Sequence, residues 1–481
     1  MISSYLAPSG RKYWCVPINL SLHTFAASQH GNSSLSSHSP PVCWPSTILM
    51  RLPSNFCFKN LTDSVLCVTL KLRRRENNNE EVIAMKRLLF GITTAILVLN
   101  LCSGGMVFVP EATAAGKRVI VVFDAASSPA ERRVVVQQED STIIKELSIV
   151  SAIVIQLPEE ASERAKEAIL RYASVVRVED DLIVNASQKP EEIGGGKPTK
   201  PDPPPPPKET LPWGVDRIDA EFAWINTTGV GVKTAILDTG IDVDHPDLAN
   251  NLAGGVNIIN PKRLFDDDNG HGTHVAGIVA AVDNEVGVIG TAKQASLYGV
   301  KVLDRTGSGW MSDIIAGLEW CINNRMDIVN MSLGASSYSQ VFQEAITAVY
   351  KAGIVQIAAA GNDGGPVSYP AAYTEVVAVS ATDNWDYIPS WSNFGPEIDL
   401  CAPGVAVYST YKGGGYKELS GTSMAAPHVT GVAALILENQ PAYTPDQVLQ
   451  VLTSTADNLG YSAEKQGSGL VDAEQAAFVT E

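Results

Sequence analysis

No CxxC pair occurs anywhere in the chain, and of its seven cysteines only Cys321 and Cys401 lie beyond residue 210. That pattern excludes a structural zinc site built on paired thiolates and offers no disulfide framework. Both late cysteines sit among apolar neighbours, the setting of a buried free thiol rather than a bridge. Positive charge is scarce in the same region. From Lys208 to the end there are 13 Lys+Arg against 32 Asp+Glu, a balance of −19, while the preceding stretch holds 22 and 20. So acidic a surface repels a phosphate backbone, which excludes nucleic acid as a partner. It suits hard cations such as calcium, held through oxygen. Long apolar runs are missing too. The best one, residues 88–101, is short of the ~20 residues of a membrane span, so stable membrane insertion is not expected. What remains is globular in composition, 45% hydrophobic and 18% charged, and 481 residues allow two or three domains.

The apolar run has a different use. Lys86 and Arg87 follow Met85, and Ala112-Thr113-Ala114 offers a small-residue cleavage site. Residues 85–114 therefore read as a secretory signal, and a secreted, extracellular protein is expected. "LNLC" lacks the small residue that should precede a lipidated cysteine at Cys102. A signal belongs at a start, which makes Met85 the expected first residue. Glu80-Glu81-Val82 can be encoded by a purine-rich, ribosome-binding stretch. Residues 1–84 are then upstream sequence, the alternative being a disordered extension.

Residues 117–186 form a small unit of about 70 residues. "KRVIVVFDAA" and "SIVSAIVIQLP" read as strands, "EEASERAKEAILRYA" as a helix, and "VVRVEDDLIV" as a closing strand. The size and order suit a ferredoxin-like α+β domain. Residues 187–210 read as a linker, because a glycine run and the prolines at 203–207 favour flexible and then stiff extended chain.

From residue 211 to 481 apolar strands alternate with helices. Segments such as "VKTAILDTG", "DIVNMSLG", "IVQIAAAGN" and "VVAVSAT" are apolar on both sides of the alternation, as in a parallel sheet sandwiched by helices. Three polar residues stand at loop or helix starts: Asp238 in "AILDTG", His271 in "DDDNGHGTHVAG" and Ser423 in "LSGTSMAAPHVTG". Each has a bland reading alone, respectively a turn acid, part of a solvated acidic loop, and a helix N-cap. Together they supply a nucleophile, a base to take its proton, and a carboxylate to fix the base's tautomer. His271 and His274 have no third nitrogen or sulfur ligand nearby, so a catalytic metal is not expected. Asp266, Asp267 and Asp268 read as a solvated loop that adds negative charge beside the histidine, and His274 as a structural partner. An esterase of the α/β-hydrolase kind would need G-x-S-x-G, and Ala425 replaces the second glycine. A binding scaffold derived from an enzyme would have lost one of the three groups.

"DTGIDVDHPDL", "HGTHVAGIVA" and "GTSMAAPHVTG" resemble the three signature segments of subtilisin-like serine proteases, in that family's known order. The resemblance covers residues 211–476. It implies a subtilisin-like α/β fold and an endopeptidase of broad specificity acting on proteins and peptides through an acyl-enzyme, and a monomer is expected. Asp238 would orient, His271 act as base then acid, and Ser423 attack. Asn362 in "AAAGN" would be the side-chain oxyanion donor. Gly307, Ser308 and Gly309, with Ser332, Leu333 and Gly334, would pair with substrate as edge strands. Met311 and "PVSYP" would line the specificity pocket. A structural calcium ion is implied at Asp247, Val282, Asn284, Val286 and Val288, with Glu209 near the position of a further ligand. A second ion site is implied near Ala371, Tyr373 and Val376. The small domain resembles the family's propeptide, an intramolecular inhibitor and folding chaperone whose tail lies in the cleft. An autoprocessed zymogen, cut first between Asn185 and Gln188, is implied.

Overall fold

The computed structural model describes residues 3–6, 12–15, 116–138, 141–159, 162–187 and 207–479. The secretory signal, most of residues 1–84 and the centre of the linker lie outside them. The chain divides into two units, Met1–Pro110 and Glu111–Glu481. In the first, Ser3–Leu6 pairs antiparallel with Lys12–Cys15.

The second unit begins with the small α+β part. Its elements are Lys117–Phe123 (β1), Pro129–Gln137 (α1), Thr142–Leu147 (β2), Ala152–Leu157 (β3), Ser162–Ile169 (α2) and Val175–Asp180 (β4). The antiparallel sheet runs β2-β3-β1-β4, the ferredoxin-like order. Helix α1 starts where the sequence supplies a capping box, Ser128 with Glu131, and Pro129 at its first position. Both faces of this sheet are buried, which explains its unbroken apolar β1. Val119, Val121 and Phe123 pack with Val136 and Ile169 in a core of their own. Ile120 and Val122 instead join Ile314, Leu318, Phe342 and Ile346 of the larger part.

"VVRVEDDLIV" is two strands, not one. Asp181 leaves the sheet to take Arg118 Nε (2.9 Å), the Ser312 N–H (2.9 Å) and the Ser312 hydroxyl (2.8 Å). The chain then continues as Ile183–Ala186 (β5), which pairs with the larger part rather than with its own sheet.

The larger part contains Lys233–Asp238 (β6), Leu252–Asn257 (β7), His271–Ala280 (α3), Ser296–Lys301 (β8), Ser308–Trp310 (β9), Met311–Asn323 (α4), Ile328–Met331 (β10), Leu333–Gly334 (β11), Gln340–Lys351 (α5), Val355–Ala359 (β12), Val377–Thr382 (β13), Ile398–Pro403 (β14), Val407–Tyr411 (β15), Gly415–Leu419 (β16), Thr422–Asn439 (α6) and Pro445–Ser454 (α7). Seven strands run parallel in the order β14-β13-β12-β10-β6-β8-β7. Alternate residues divide the core. Ile236, Ile328, Ile357 and Val379 face α3 and α6, while Ala235, Leu237, Val329 and Ala358 face α4 and α5. The apolar strands of the sequence are therefore a sheet sandwiched by helices, as expected. Cys321 and Cys401 are free and buried.

The linker is fixed at both ends. Ser187 continues β5, and residues 208 and 210 bridge to Val286 and Val288. Near the far end of α6, Glu438 Oε2 accepts from the Thr227 hydroxyl (2.7 Å) and from the N–H groups of Thr228 (2.7 Å), Gly229 (2.6 Å) and Val230 (3.0 Å). Burial opposes this charge, but those donors hold its carboxyl below the usual range. Glu438→Gln is expected to cost about 1–2 kcal/mol of stability at neutral pH. A depressed folded pKa stabilises above the unfolded value, so the difference between the two chains should vanish as pH falls through the folded value. Denaturant titrations across that range check both statements.

Candidate active site

Residues far apart in sequence meet at the carboxyl edge of the parallel sheet, where open α/β sheets carry their sites. Asp238 ends β6, Ser332 follows β10, and Asn362 follows β12. His271 opens α3 and Ser423 lies in the first turn of α6, and these two helices pack against each other. Helix α3 reaches the end of β6 because residue 272 is glycine. A Cβ there would stand 2.1 Å from the Gly240 carbonyl oxygen and 3.1 Å from Asp238 Cβ.

Asp238, His271 and Ser423 are all buried. The His271 Nδ1–H donates to both Asp238 oxygens, at 2.8 and 2.9 Å, which leaves Nε2 as the lone-pair nitrogen. Nε2 is buried and has no hydrogen-bond partner among the described residues. Burial pushes this imidazole toward neutrality, yet the Asp238 charge and hydrogen bond, with Asp267 adding to them, hold its pKa above the ordinary histidine value. The Ser423 hydroxyl donates to the Ser332 carbonyl at 3.0 Å, and the Ser332 hydroxyl returns a bond to the Ser423 carbonyl at 2.9 Å. Asn330 Nδ2 donates to that Ser332 hydroxyl (2.9 Å), and Thr430 Oγ1 donates to Asn330 Oδ1 (2.8 Å). A buried polar chain thus ties the serine's helix to the end of β10.

The tail β5 lies between the edge strands β9 and β11, antiparallel to both. Gly307 accepts from the Ala186 N–H (2.8 Å) and Ser332 accepts from the Ser187 N–H (3.0 Å). Ser308 and Gly309 pair with Asn185 and Val184, and Leu333 and Gly334 with Ala186 and Asn185. Val184 is buried in the same cluster as Met311 and Leu333. The Ser187 carbonyl accepts from the Ser423 N–H (3.3 Å) and from Asn362 Nδ2. The amide of Asn362 is turned that way by Thr422, whose N–H (2.8 Å) and hydroxyl (3.0 Å) both donate to its Oδ1.

His274 and His428 are not available as bases. The His274 Nε2–H donates to the Val407 and Lys417 carbonyls, both at 3.0 Å, and burial pushes its pKa down to about 3. The His428 Nδ1–H donates to the Met424 carbonyl (2.8 Å), and burial brings it to about 4. In the acidic triplet Asp266 and Asp268 are exposed, as expected of a solvated loop, but Asp267 is not. Asp267 is buried and accepts five hydrogen bonds, and Asp268 pairs with the buried Lys301 at 2.7 Å. Only Asp266 keeps a lightly held position, accepting from the Val243 N–H at 3.3 Å. Three of the Asp267 donors are neighbouring backbone N–H groups, which a composition-based reading of three acids does not register.

The proposed cation ligands also converge. Asp247 is buried, accepting from Asn284 Nδ2 (3.0 Å) and the Val288 N–H (2.9 Å). Glu209 Oε1 accepts from the N–H groups of Asn284 (2.6 Å) and Glu285 (3.1 Å), closing the loop. Gly287, at φ +71°, lets this loop turn where a side chain would meet Tyr416 and Asp247. Burial pushes the Asp247 carboxyl up to about 6. The Tyr373 carbonyl, in the second implied ion site, accepts from the Val376 N–H at 3.1 Å.

A parallel α/β sheet with this serine, imidazole and carboxylate at its carboxyl edge has the architecture of a serine endopeptidase. Residues 229–470 match the model of the subtilase family, described as Peptidase_S8. The chain is 43% identical over 332 residues to a thermostable alkaline protease of Halalkalibacterium halodurans, covering 67% of this chain and 91% of that protein. It is 47% identical over 270 residues to Subtilisin Savinase of Lederbergia lenta and 46% identical over 275 residues to Subtilisin DY of Bacillus licheniformis. Each of those matches covers 56% of this chain and 99% of the relative. The chain belongs to the subtilase family and is a serine endopeptidase. No helix among the described residues is long and apolar enough to cross a membrane.

Sequence reasoning missed Thr422, Asn330 and Thr430, which lie inside the quoted segments but act only through neighbours. Thr422→Val removes the hydroxyl that donates to Asn362 Oδ1 and accepts from the Gly361 N–H (3.0 Å). A less firmly held amide is expected to lower turnover roughly tenfold with little change in KM. Steady-state kinetics on a peptide substrate check this.

Proposed function

We propose that the chain is a secreted subtilase zymogen in which Asp238, His271 and Ser423 act as orienting acid, base and nucleophile. Asn362 and the Ser423 N–H stabilise the oxyanion. The observation that carries this reading is the seat of Ser187. Its carbonyl oxygen accepts from the two groups assigned to the oxyanion, and the three residues before it pair with both edge strands. A chain held in that way is arranged as a substrate, and the bond it presents is Ser187–Gln188. In the reaction the Ser423 oxygen bonds to the Ser187 carbonyl carbon as His271 accepts the hydroxyl proton. The C–N bond then breaks, with that proton passing to the departing Gln188 amine. Water completes hydrolysis of the ester. Because the pairing runs through backbone groups, protein substrates of broad sequence are expected.

The small α+β part is then an intramolecular inhibitor that presents β5 to the cleft. The 332-residue match to the alkaline protease of Halalkalibacterium halodurans is longer than the whole segment after residue 210, so that relative shares part of the chain before it. Its hold on the larger part is polar as well as apolar. Asp181 serves the start of α4, Glu179 accepts from the Val341 N–H (3.0 Å) at the start of α5, and Arg118 lies 4.4 Å over the Trp310 ring.

The loop around Asp247 fits a structural calcium ion. It buries a carboxylate with its charge pushed toward neutrality, and an amide and a second carboxylate stand beside it. Among the described residues no three His, Cys, Asp or Glu side chains come together, so carbonyls of Val282, Val286 and Val288 would complete an oxygen set of the calcium kind. The ion would supply positive charge to the loop and take no part in the reaction.

Ser423→Ala should abolish casein hydrolysis and leave the chain uncut, while the active enzyme should yield a mature N-terminus at Gln188. Casein hydrolysis or unaided maturation by Ser423→Ala would overturn the assignment. A mature terminus found only at Lys208 would count against a single first cut.

A chelator should lower the melting temperature. Without the ion, Asp247 has a raised folded pKa, so its ionisation destabilises as pH rises from the ordinary carboxylate range through about 6. The chelator's effect should therefore grow across that window, which calorimetry at several pH values reads directly.

A further inference from the structure

Helix α3, which carries His271, has no cap of its own. Its N-cap residue is Gly270, which offers no side chain, so the first N–H groups must be met from elsewhere. Asp267 meets them. Its Oδ2 accepts from the Thr273 N–H (3.0 Å) and hydroxyl (2.6 Å), and its Oδ1 from the N–H groups of Asn269 (2.9 Å) and Gly270 (2.8 Å). The fifth donor comes from another element. The Thr239 hydroxyl donates to Oδ1 at 2.9 Å, and the same hydroxyl accepts from the Gly272 N–H at 2.9 Å. Thr239 is the residue after Asp238, and its own N–H donates to Asp238 Oδ1 at 2.7 Å. A second bridge thus runs beside the Asp238–His271 contact, joining the same strand end to the same helix start.

We propose that Asp267, through Thr239, is a positioning residue for the His271 base, fixing the imidazole against Asp238 and adding negative charge that favours its protonated form. This rests on the assignment of His271 as the base. The charged and titratable groups around that imidazole are Asp238 at the end of β6, Asp267 before α3, and His274 one turn along α3, which burial keeps neutral. Lys301 of β8 stands behind Thr239, donating to its carbonyl and to Asp268. Of these, Asp238 and Asp267 favour the imidazolium, so removing the Asp267 charge must make His271 easier to deprotonate.

The test is the pH profile of kcat/KM for the mature enzyme, normalised by active-site titration. Asp267→Asn keeps one acceptor oxygen and removes the charge. Its acid limb, where activity is lost as His271 is protonated, should move to lower pH. The plateau kcat should fall by roughly tenfold as the base loses its clamp, with KM nearly unchanged because the edge strands are untouched. Thr239→Val breaks the bridge and keeps the charge, so it should lower kcat without moving the acid limb toward lower pH. Titrated Asp267→Asn enzyme with an unmoved acid limb and normal kcat would overturn the proposal and leave Asp267 as a helix cap only. If too little Asp267→Asn folds to be assayed, Thr239→Val with unaltered kcat would overturn it instead. Failure of the underlying assignment looks different, because hydrolysis would then survive Ser423→Ala.

Discussion

A carboxylate and an imidazole buried against each other are the constraint from which much else follows. Burial alone would drive His271 to the neutral form and leave Asp238 without solvent. The pair is tolerable only if both partners are held at hydrogen-bond distance by surroundings that do not yield. The sheet fixes Asp238 at the end of a central strand, and the bare Cα of Gly272 lets the helix come close. Thr239 and Asp267 bridge the two a second time. The serine's helix is tied in turn to β10 through Ser332, Asn330 and Thr430, so the three groups rest on two polar frames that the pairing of β10 with β6 joins. Within these frames every hydroxyl that accepts also donates, which is how buried polar chains avoid an unmet partner.

Much of this was legible in the sequence. Strands such as "TAILD" and "VQIAA" announce a sheet covered on both faces, because apolar residues stand on both sides of their alternation. Asp238, His271 and Ser423 each lie in a distinctive local string, which is why they stand out in the sequence. Elements without such strings were harder. The strand "LAGGVN" is rich in glycine and reads as a loop, and "IDLCAP" ends on proline at the sheet edge, where an absent N–H costs little. "VVRVEDDLIV" looks continuous because Asp180, Asp181 and Leu182 carry no turn signal. Its break is set by partners supplied more than a hundred residues later. Asp267 was misread for a related reason. Three consecutive acids suggest solvent by composition, but one is surrounded by N–H groups that only the folded turn brings together. Local strings reveal chemistry that is local, whereas frames built from single hydroxyls and amides appear only when the chain has closed.

The tail shows how little side-chain information its binding needs. Along β5 the ladder to β9 and β11 joins main-chain groups, with one side-chain bond from the Ser308 hydroxyl to Asn185 Oδ1 (2.8 Å), while Val184 is buried in the apolar interior and Ala186 packs against it. A groove of this kind accepts many sequences in the same register, because every peptide offers the same donors and acceptors at the same spacing. What distinguishes the tail from other chains is the small sheet that delivers it. That sheet rests on α4 and α5 through Ile120 and Val122 and through the carboxylates of Glu179 and Asp181. Affinity is thereby supplied away from the cleft, while the cleft itself sees an ordinary backbone.

The same chain also closes the loop around Asp247 from the other end of the linker. Glu209 binds Asn284 and Glu285 while Ser187 occupies the cleft, and both contacts exist in one uncut polypeptide. That is possible because residues 188–206 separate them in sequence, and nineteen residues can reach up to about 60 Å when extended. Had residue 209 followed the seated tail directly, one contact would have excluded the other wherever the two sites lie farther apart than a few residues can span. Linker length is therefore part of the structural logic. It lets the segment that fills the cleft and the segment that braces the acidic loop be satisfied together in one chain.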